Sequence, residues 1–355
     1  MILTTPTRRR PRTALRAVAI TACLPYLCLK AAWIAGSHLG IPDHSVLLAH
    51  RAHIAAANTA SILLDSCVVV LAYLLTRPWG LRVQAWLLAL PMWIATGLLA
   101  PVMIGYPLQL LLHTVGSTAK PAAPSTDPFL DTWVFAVVYT GFIVQGLALG
   151  TLFTLYARDR WGHLLRGRIG ELPPATAGPR RAAVTVAALS LLPAGAHLLW
   201  ATGSGRGLSP ALAEGRSADQ YVLEAVFAVF ALMGAAGALM TAFRLRRSLP
   251  LRLPLALAWL GSGATACWGG WLWLSALTTT GGAGEGPTLT MGLTYAVQMI
   301  TGTLVVVMGT HFFTERGGGR GGGGAPPPPP PHPAGRPKGE PPRPPPPPHP
   351  AGAPP

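Results

Sequence analysis

Half of the 355 residues are hydrophobic and only 11% are charged, against about a quarter in a soluble domain, which excludes an ordinary water-soluble enzyme or binding module. The net charge of +15 would suggest nucleic acid on a soluble chain. Here the basic residues form short patches beside apolar runs, so they read as topology signals and contacts for anionic headgroups, with no nucleic-acid partner.

Eight apolar runs follow one another at 17–36, 54–76, 85–104, 132–156, 182–202, 221–243, 253–277 and 289–313. Each is near the ~20 residues a helix needs to cross the hydrocarbon core, and runs this long exclude barrel strands. The predicted fold class is therefore all-α, a polytopic transmembrane helical bundle of eight spans. It divides into a basic cytoplasmic N-terminus (1–16), spans one to four (17–156), a basic cytoplasmic linker (157–181), spans five to eight (182–313) and a disordered Gly/Pro-rich cytoplasmic tail (314–355).

The first span follows a basic stretch, and Ile20-Thr21-Ala22-Cys23 resembles a lipoprotein cleavage box. The apolar core between Arg16 and Cys23 is short for a signal peptide, and more apolar helix follows, so a retained first span is expected. Lys30 lies inside this span, roughly 10 Å by helical rise from its outer end. The first outer loop holds His38, Asp43, His44, His50 and His53. Interfacial polar residues explain the group better than zinc, since no ligand spacing is evident, and Asp43 would cap an early start of the second helix.

In span two, Asn58, Ser61 and Asp65 fall at i, i+3 and i+7 and form one polar stripe. A charge in hydrocarbon normally finds a partner inside the bundle. Spans one and two are joined by a short loop, so an ion pair between Lys30 and Asp65 is expected. Its bland reading is helix packing without transport; its functional reading is a coupling site or substrate contact. Prolines at 25, 91, 193 and 254 would bend outward-running spans. Gly146 with Gly150, and Gly234 with Gly237, provide faces for close packing. In the linker, 158–169 reads as a short basic amphipathic helix lying on lipid, ended by Glu171-Leu172-Pro173-Pro174, with Pro179 forbidding an early restart.

His197 in span five and Glu224, one turn inside span six, would make a second polar pair. Haem would need two facing histidines and is not expected. Gly203-Ser204-Gly205-Arg206-Gly207 follows no strand and is not a phosphate loop. Trp271, Trp273, Phe312 and Phe313 suit interfacial anchors. Cys23, Cys28, Cys67 and Cys267 all lie in apolar runs and read as small buried hydrophobes. The tail from 317 carries two proline runs, each ending His-Pro-Ala-Gly, and lacks apolar residues to bury, so polyproline II disorder is expected.

Orientation follows from the arginines. One side receives residues 8, 9, 10, 12 and 16, then 77 and 82, then 158, 160, 166, 168, 180 and 181, then 244, 246, 247 and 252, and lastly 316, 320, 336, 338 and 343. These are 22 basic residues, whereas the opposite loops hold only Arg51, Lys120, Arg206 and Arg216. The bias predicts a multi-pass protein of the cell (inner) membrane with both termini cytoplasmic. The two four-span halves also share a weak likeness. Lys30, Trp33 and Gly36 match His197, Trp200 and Gly203 in spacing, and a Gly-Thr pair recurs at 150–151 and 309–310. Two such halves in one orientation would make a parallel 4+4 repeat; chance similarity between apolar helices is the alternative.

Pro25-Tyr26, Leu29-Lys30, Trp33, Gly36, Asn58, Asp65 and Gly97-Leu98-Leu99-Ala100-Pro101 together resemble an uncharacterised family of multi-spanning integral membrane proteins from high-GC actinobacteria. The resemblance covers roughly residues 17–313 and implies location and architecture alone. Two functions follow from the residues. One is a small-solute or ion transporter built around Lys30, Asp65, Asn58, Ser61, His197 and Glu224. The other is a non-transporting scaffold or partner subunit that recruits proteins through its basic loops and proline tail. No catalytic grouping, metal motif or cofactor signature is recognisable, so an enzyme is not expected.

Overall fold

The computed structural model describes residues 9–43, 45, 51–115, 130–214, 216–278 and 286–318, with side chains except at 9, 10, 51–54, 56, 57, 60, 64, 276–278 and 318. The chain divides into two units, residues 1–313 and 314–355. The proline tail lies outside the described residues.

Eight long helices and one short one carry the described chain. They are α1 (Arg9–Ile34), α2 (Arg51–Thr76), α3 (Ala85–Val115), α4 (Thr132–Trp161), α5 (Ala177–Ala201), α6 (Pro210–Ala213), α7 (Ala218–Phe243), α8 (Arg252–Thr278) and α9 (Leu289–Gly318), with 3-10 turns at Pro78–Arg82 and Ile169–Glu171. Among the described residues there is no strand, only an isolated bridge between Arg168 and Pro250. Six helices, α1, α3, α4, α5, α7 and α9, are long and apolar enough to cross a membrane. The outward surface is apolar too: Leu63, Val70, Trp86, Leu147, Leu191 and Leu289 are all more than half exposed, which lipid tolerates and water does not. These features mark a multi-pass integral membrane protein.

The runs expected at 54–76 and 253–277 coincide with α2 and α8, but these are not among the six. For α8 the reason is its position. Residues 261–266 are continuously buried, and a Cβ added to Gly261 would come within 2.2 Å of the Gly234 nitrogen on α7. A Cβ on Gly97 of α3 would meet the Gly263 carbonyl at 2.4 Å, and one on Gly302 of α9 would meet Ala266 at 2.5 Å. Three helices close on α8 backbone to backbone, so its sequence has glycine, serine and alanine where a lipid-facing helix would have leucine.

Several local expectations change. Span three continues to Val115 through Pro101 and Pro107. Pro254 stands in the first turn of α8, where its missing N–H costs nothing and no bend follows. Pro179 is likewise accommodated in the first turn of α5, which restarts at Ala177. The linker is not a surface helix over 158–169: α4 stops at Trp161, and Gly167 takes φ +98°. The chain then pairs with the α7–α8 connection, Ile169 N–H donating to Leu249 O, Gly170 N–H to Arg247 O, and Leu251 N–H to Gly167 O, each at 3.0 Å. Asp43 stands in a turn closed by Ser45 N–H donating to Pro42 O at 2.9 Å, and most of the segment from there to Arg51 lies outside the described residues. Cys28 and Cys67 are exposed on the bundle surface, and only Cys23 is fully buried. Gly146 packs against Met103, whereas Gly150 meets nothing within 4 Å.

Contacts sort the connections to two ends. At one, Arg12 pairs with Asp159 at 2.6 Å, Arg16 donates to Thr76 Oγ1 at 3.3 Å, and the linker joins the α7–α8 turn. All four described arginine clusters lie at this end. At the other, Asp131 N–H donates to Gly40 O at 2.9 Å, Thr288 donates to Gly207 O, and Gln109 Nε2 donates to Asp219 O at 3.0 Å.

Helices α3 and α8 meet through matching sequences, Trp93-x-x-Thr96-Gly97 and Trp259-x-x-Ser262-Gly263. The contact is reciprocal: Trp93 Nε1 donates to Ser262 Oγ at 3.0 Å, and Trp259 Nε1 donates to Thr96 Oγ1 at 2.9 Å.

Candidate functional site

Two sets of polar side chains sit within the apolar helices, one in each half. In the first, Lys30 Nζ on α1 lies 2.7 Å from Asp65 Oδ2 on α2, and both side chains are largely buried. A lysine ammonium here has only the lipid interface or a carboxylate to turn to, and the structure gives it the carboxylate. Tyr26, one turn before Lys30 and fully buried, donates to Gln145 Oε1 on α4 at 2.6 Å and stands 3.5 Å from Asp65 Oδ1. The ammonium lies 5.0 Å from the Tyr26 ring centroid, a cation–π distance. Around the set pack Ala19, Cys23, Val68, Leu71, Ala72 and Leu149.

In the second set, His197 Nδ1 on α5 is 2.5 Å from Glu224 Oε2 on α7, and His197 Nε2 is 2.7 Å from Gln298 Nε2 on α9. The histidine is 1% exposed and so is Gln298. Rings of Trp200 and Phe227 flank the imidazole at 5.2 and 5.3 Å.

The sets correspond member by member. A base on the first helix of each half meets an acid on the second, and a glutamine on the fourth bonds to the same first helix. In the second set the imidazole spans acid and amide by itself. In the first, the ammonium takes the acid and Tyr26 takes the amide. The backbone beyond each base also corresponds, offset by 167 residues. Trp33 Nε1 donates to Leu39 O at 2.7 Å, and Trp200 Nε1 to Arg206 O at 3.0 Å. Gly36 and Gly203 adopt φ +91° and +94°, and Gly40 and Gly207 adopt +73° and +82°. The left-handed backbone explains glycine at all four positions. Gly203–Gly207 is thus a helix-exit turn.

The other expected residues scatter. Ser61 Oγ donates to the Asn58 main-chain carbonyl at 3.0 Å, so the Ser61 hydroxyl is satisfied within α2 and not by Lys30. His113 Nε2 comes within 2.9 Å of Asp219 Oδ1 at the exposed α3–α7 end, without hydrogen-bond alignment. His44 and His50 lie outside the described residues, as does the His53 side chain. Among the described residues no three His, Cys, Asp or Glu side chains converge as a metal site requires. Two surface grooves, of about 490 Å³ between α1 and α4 and about 520 Å³ between α3 and α7, are lined almost wholly by apolar side chains; neither includes a member of the polar sets.

Tyr26, Gln145 and Gln298 are members that the sequence reading passed over. A signal for the glutamines exists: Val144-Gln145 precedes Gly150-Thr151-Leu152, and Val297-Gln298 precedes Gly302-Thr303-Leu304, a closer match than the Gly-Thr pair at 309–310. No protein-family model matches the chain, and no curated protein or solved structure is significantly similar to it.

Proposed function

We propose that this chain is a small-solute or ion transporter of the cell membrane, built of eight spans as a parallel 4+4 repeat with both termini and the arginine-rich end in the cytoplasm. The observation that carries the reading is the pair of corresponding sets, Lys30–Asp65–Gln145 and His197–Glu224–Gln298. A single ion pair is adequately explained by helix packing. An acid, a base and an amide from the same three helices in both halves fit paired sites at equivalent depth, as expected of transporters made from repeats. Resemblance to actinobacterial multi-spanning proteins supports location and architecture only. No enzymatic step enters this reading, and anionic headgroups are the partners of the cytoplasmic arginines.

The test is solvent access from the α2 stripe. In a chain whose native cysteines are replaced, cysteine at 58, 61 or 65 should react with a membrane-impermeant thiol reagent. Full protection at all three in folded protein would defeat transport. The scaffold reading then takes over; the apolar lining of both grooves, which leaves the polar sets out, is the observation in its favour.

A further inference from the structure

His197 sits between a carboxylate and an amide that can serve as donor or acceptor. As the side chains stand, Glu224 Oε2 faces ring Nδ1 and Gln298 Nε2 faces ring Nε2, so the imidazole has a carboxylate at one nitrogen and an amide at the other. The other end of the amide, Gln298 Oε1, is buried with no hydrogen-bond partner. Such orphans are rare and call for an explanation. Turning the amide over would bring Oε1 to ring Nε2 and give a second proton an acceptor there. Both protonation states of the ring thus have a complete partner at Nε2.

An imidazolium beside the Glu224 carboxylate would make a neutral pair. Lys30 and Asp65 are already balanced, so only the second set has this freedom. On α7 itself, Tyr221 one turn before Glu224 carries the Arg216 guanidinium over its ring at 4.7 Å. Tyr295 of α9 also faces Glu224, α8 has no charged residue after Arg252, and Phe227 and Trp268 close the side toward α8.

Three more buried hydroxyls lack partners: Ser209 Oγ before α6 at the opposite end, and Thr301 Oγ1 on α9 and Ser190 Oγ on α5 near the second set. Thr301 is one turn past Gln298 and Ser190 two turns before His197, and α5 and α9 run antiparallel. Both hydroxyls therefore lie toward the arginine-rich end, where buried water would complete their hydrogen bonds.

We propose that His197 binds a coupling proton on ring Nε2, delivered from the arginine-rich side past Ser190 and Thr301 as the Gln298 amide turns over. The proton comes from hydronium: one of its O–H bonds breaks as the N–H bond forms on the Nε2 lone pair, and water is left behind, with no change of oxidation state. This rests on the transport reading above and names its coupling ion.

The experiment uses full-length chain with ¹⁵N-labelled histidine rings in phosphatidylethanolamine–phosphatidylglycerol liposomes, read by solid-state NMR at pH 8 and pH 5. A signal absent from H197Q should pass from the Nδ1–H tautomer to imidazolium. Q298L, which offers no acceptor, should cut the imidazolium fraction at pH 5 at least tenfold, whereas Q298E should retain it. A His197 ring in one state at both pH values, or indifferent to Q298L, overturns the proton site. With a trapped pH dye, wild type should acidify the lumen after a pH step, and S190A/T301V should slow it at least tenfold; equal rates overturn the route. His197 titration without proton or solute movement would retain the site and defeat the transport reading, whereas solute movement with a silent His197 would do the reverse.

Discussion

Lys30 and Asp65 show how one pair ties two helices together in lipid. Removing one partner leaves the other charge stranded, and breaking a buried pair costs about 3–5 kcal/mol. Lys30→Ala or Asp65→Ala should therefore sharply lower folded yield and thermal stability in detergent. Lys30→Met combined with Asp65→Leu should recover most of that loss, because a buried pair is often worth no more than its apolar replacement. Exchanging the charges, Lys30→Asp with Asp65→Lys, should express better than either single change; no recovery would refute the pairing as a determinant of folding. This pair was legible in the sequence because an ion in an apolar run must be matched within reach. Tyr26, Gln145 and Gln298 were not, because a neutral polar side chain can bond to its own helix, as Ser61 does, and leaves no imbalance for a reader to resolve.

At the scale of the helix, glycine contacts set what can be changed. Gly97→Ala puts a methyl 2.4 Å from the Gly263 carbonyl on α8, backbone that cannot swing aside. A loss of about 1–3 kcal/mol is expected, in the range for an overpacked core. Gly150→Ala, facing open space, should be neutral or stabilising by up to about 1 kcal/mol through helix propensity. Melting temperatures of the two variants should move in opposite directions. Trp93→Phe and Trp259→Phe should each cost about 0.5–1.5 kcal/mol, one hydrogen bond apiece; unequal losses would argue against equivalent roles. Sequence located the long helices because apolar length is a direct record of the hydrocarbon they occupy. It gave the wrong form to 158–169, since the partner of that segment, the turn at 247–251, is some eighty residues away and nothing local announces it. Hydropathy also understates α8 because its glycines answer to neighbouring helices.

For the whole molecule, the placement of arginines at one end predicts how reporter fusions will behave. Fusions within 78–82, 162–176 and 245–251 should report the cytoplasm, and fusions within 37–43 and 203–209 the opposite compartment. Reversal at any one of these places would refute the eight-span topology. Lysine or arginine introduced at 205 and 213 should lower the yield of correctly oriented protein, because the outward loops depend on being poor in positive charge. Charge counting alone leads to the proposed even number of spans. The proposed repeat left only a faint trace in the sequence, because Lys30 and His197, or Asp65 and Glu224, are alike in chemistry and not in identity.

The crossing of α3 over α8 has a consequence for ancestry. Its tryptophan, hydroxyl and glycine from one half meet the same three residue types from the other, so the surface is complementary to itself, as in a dimer with a two-fold axis. On the proposed 4+4 repeat, a half-length forerunner would have used that surface to pair with its own twin. Fusing the twins into one polypeptide would then have released each copy from sameness, leaving lysine and tyrosine in one place and histidine and proline in the other.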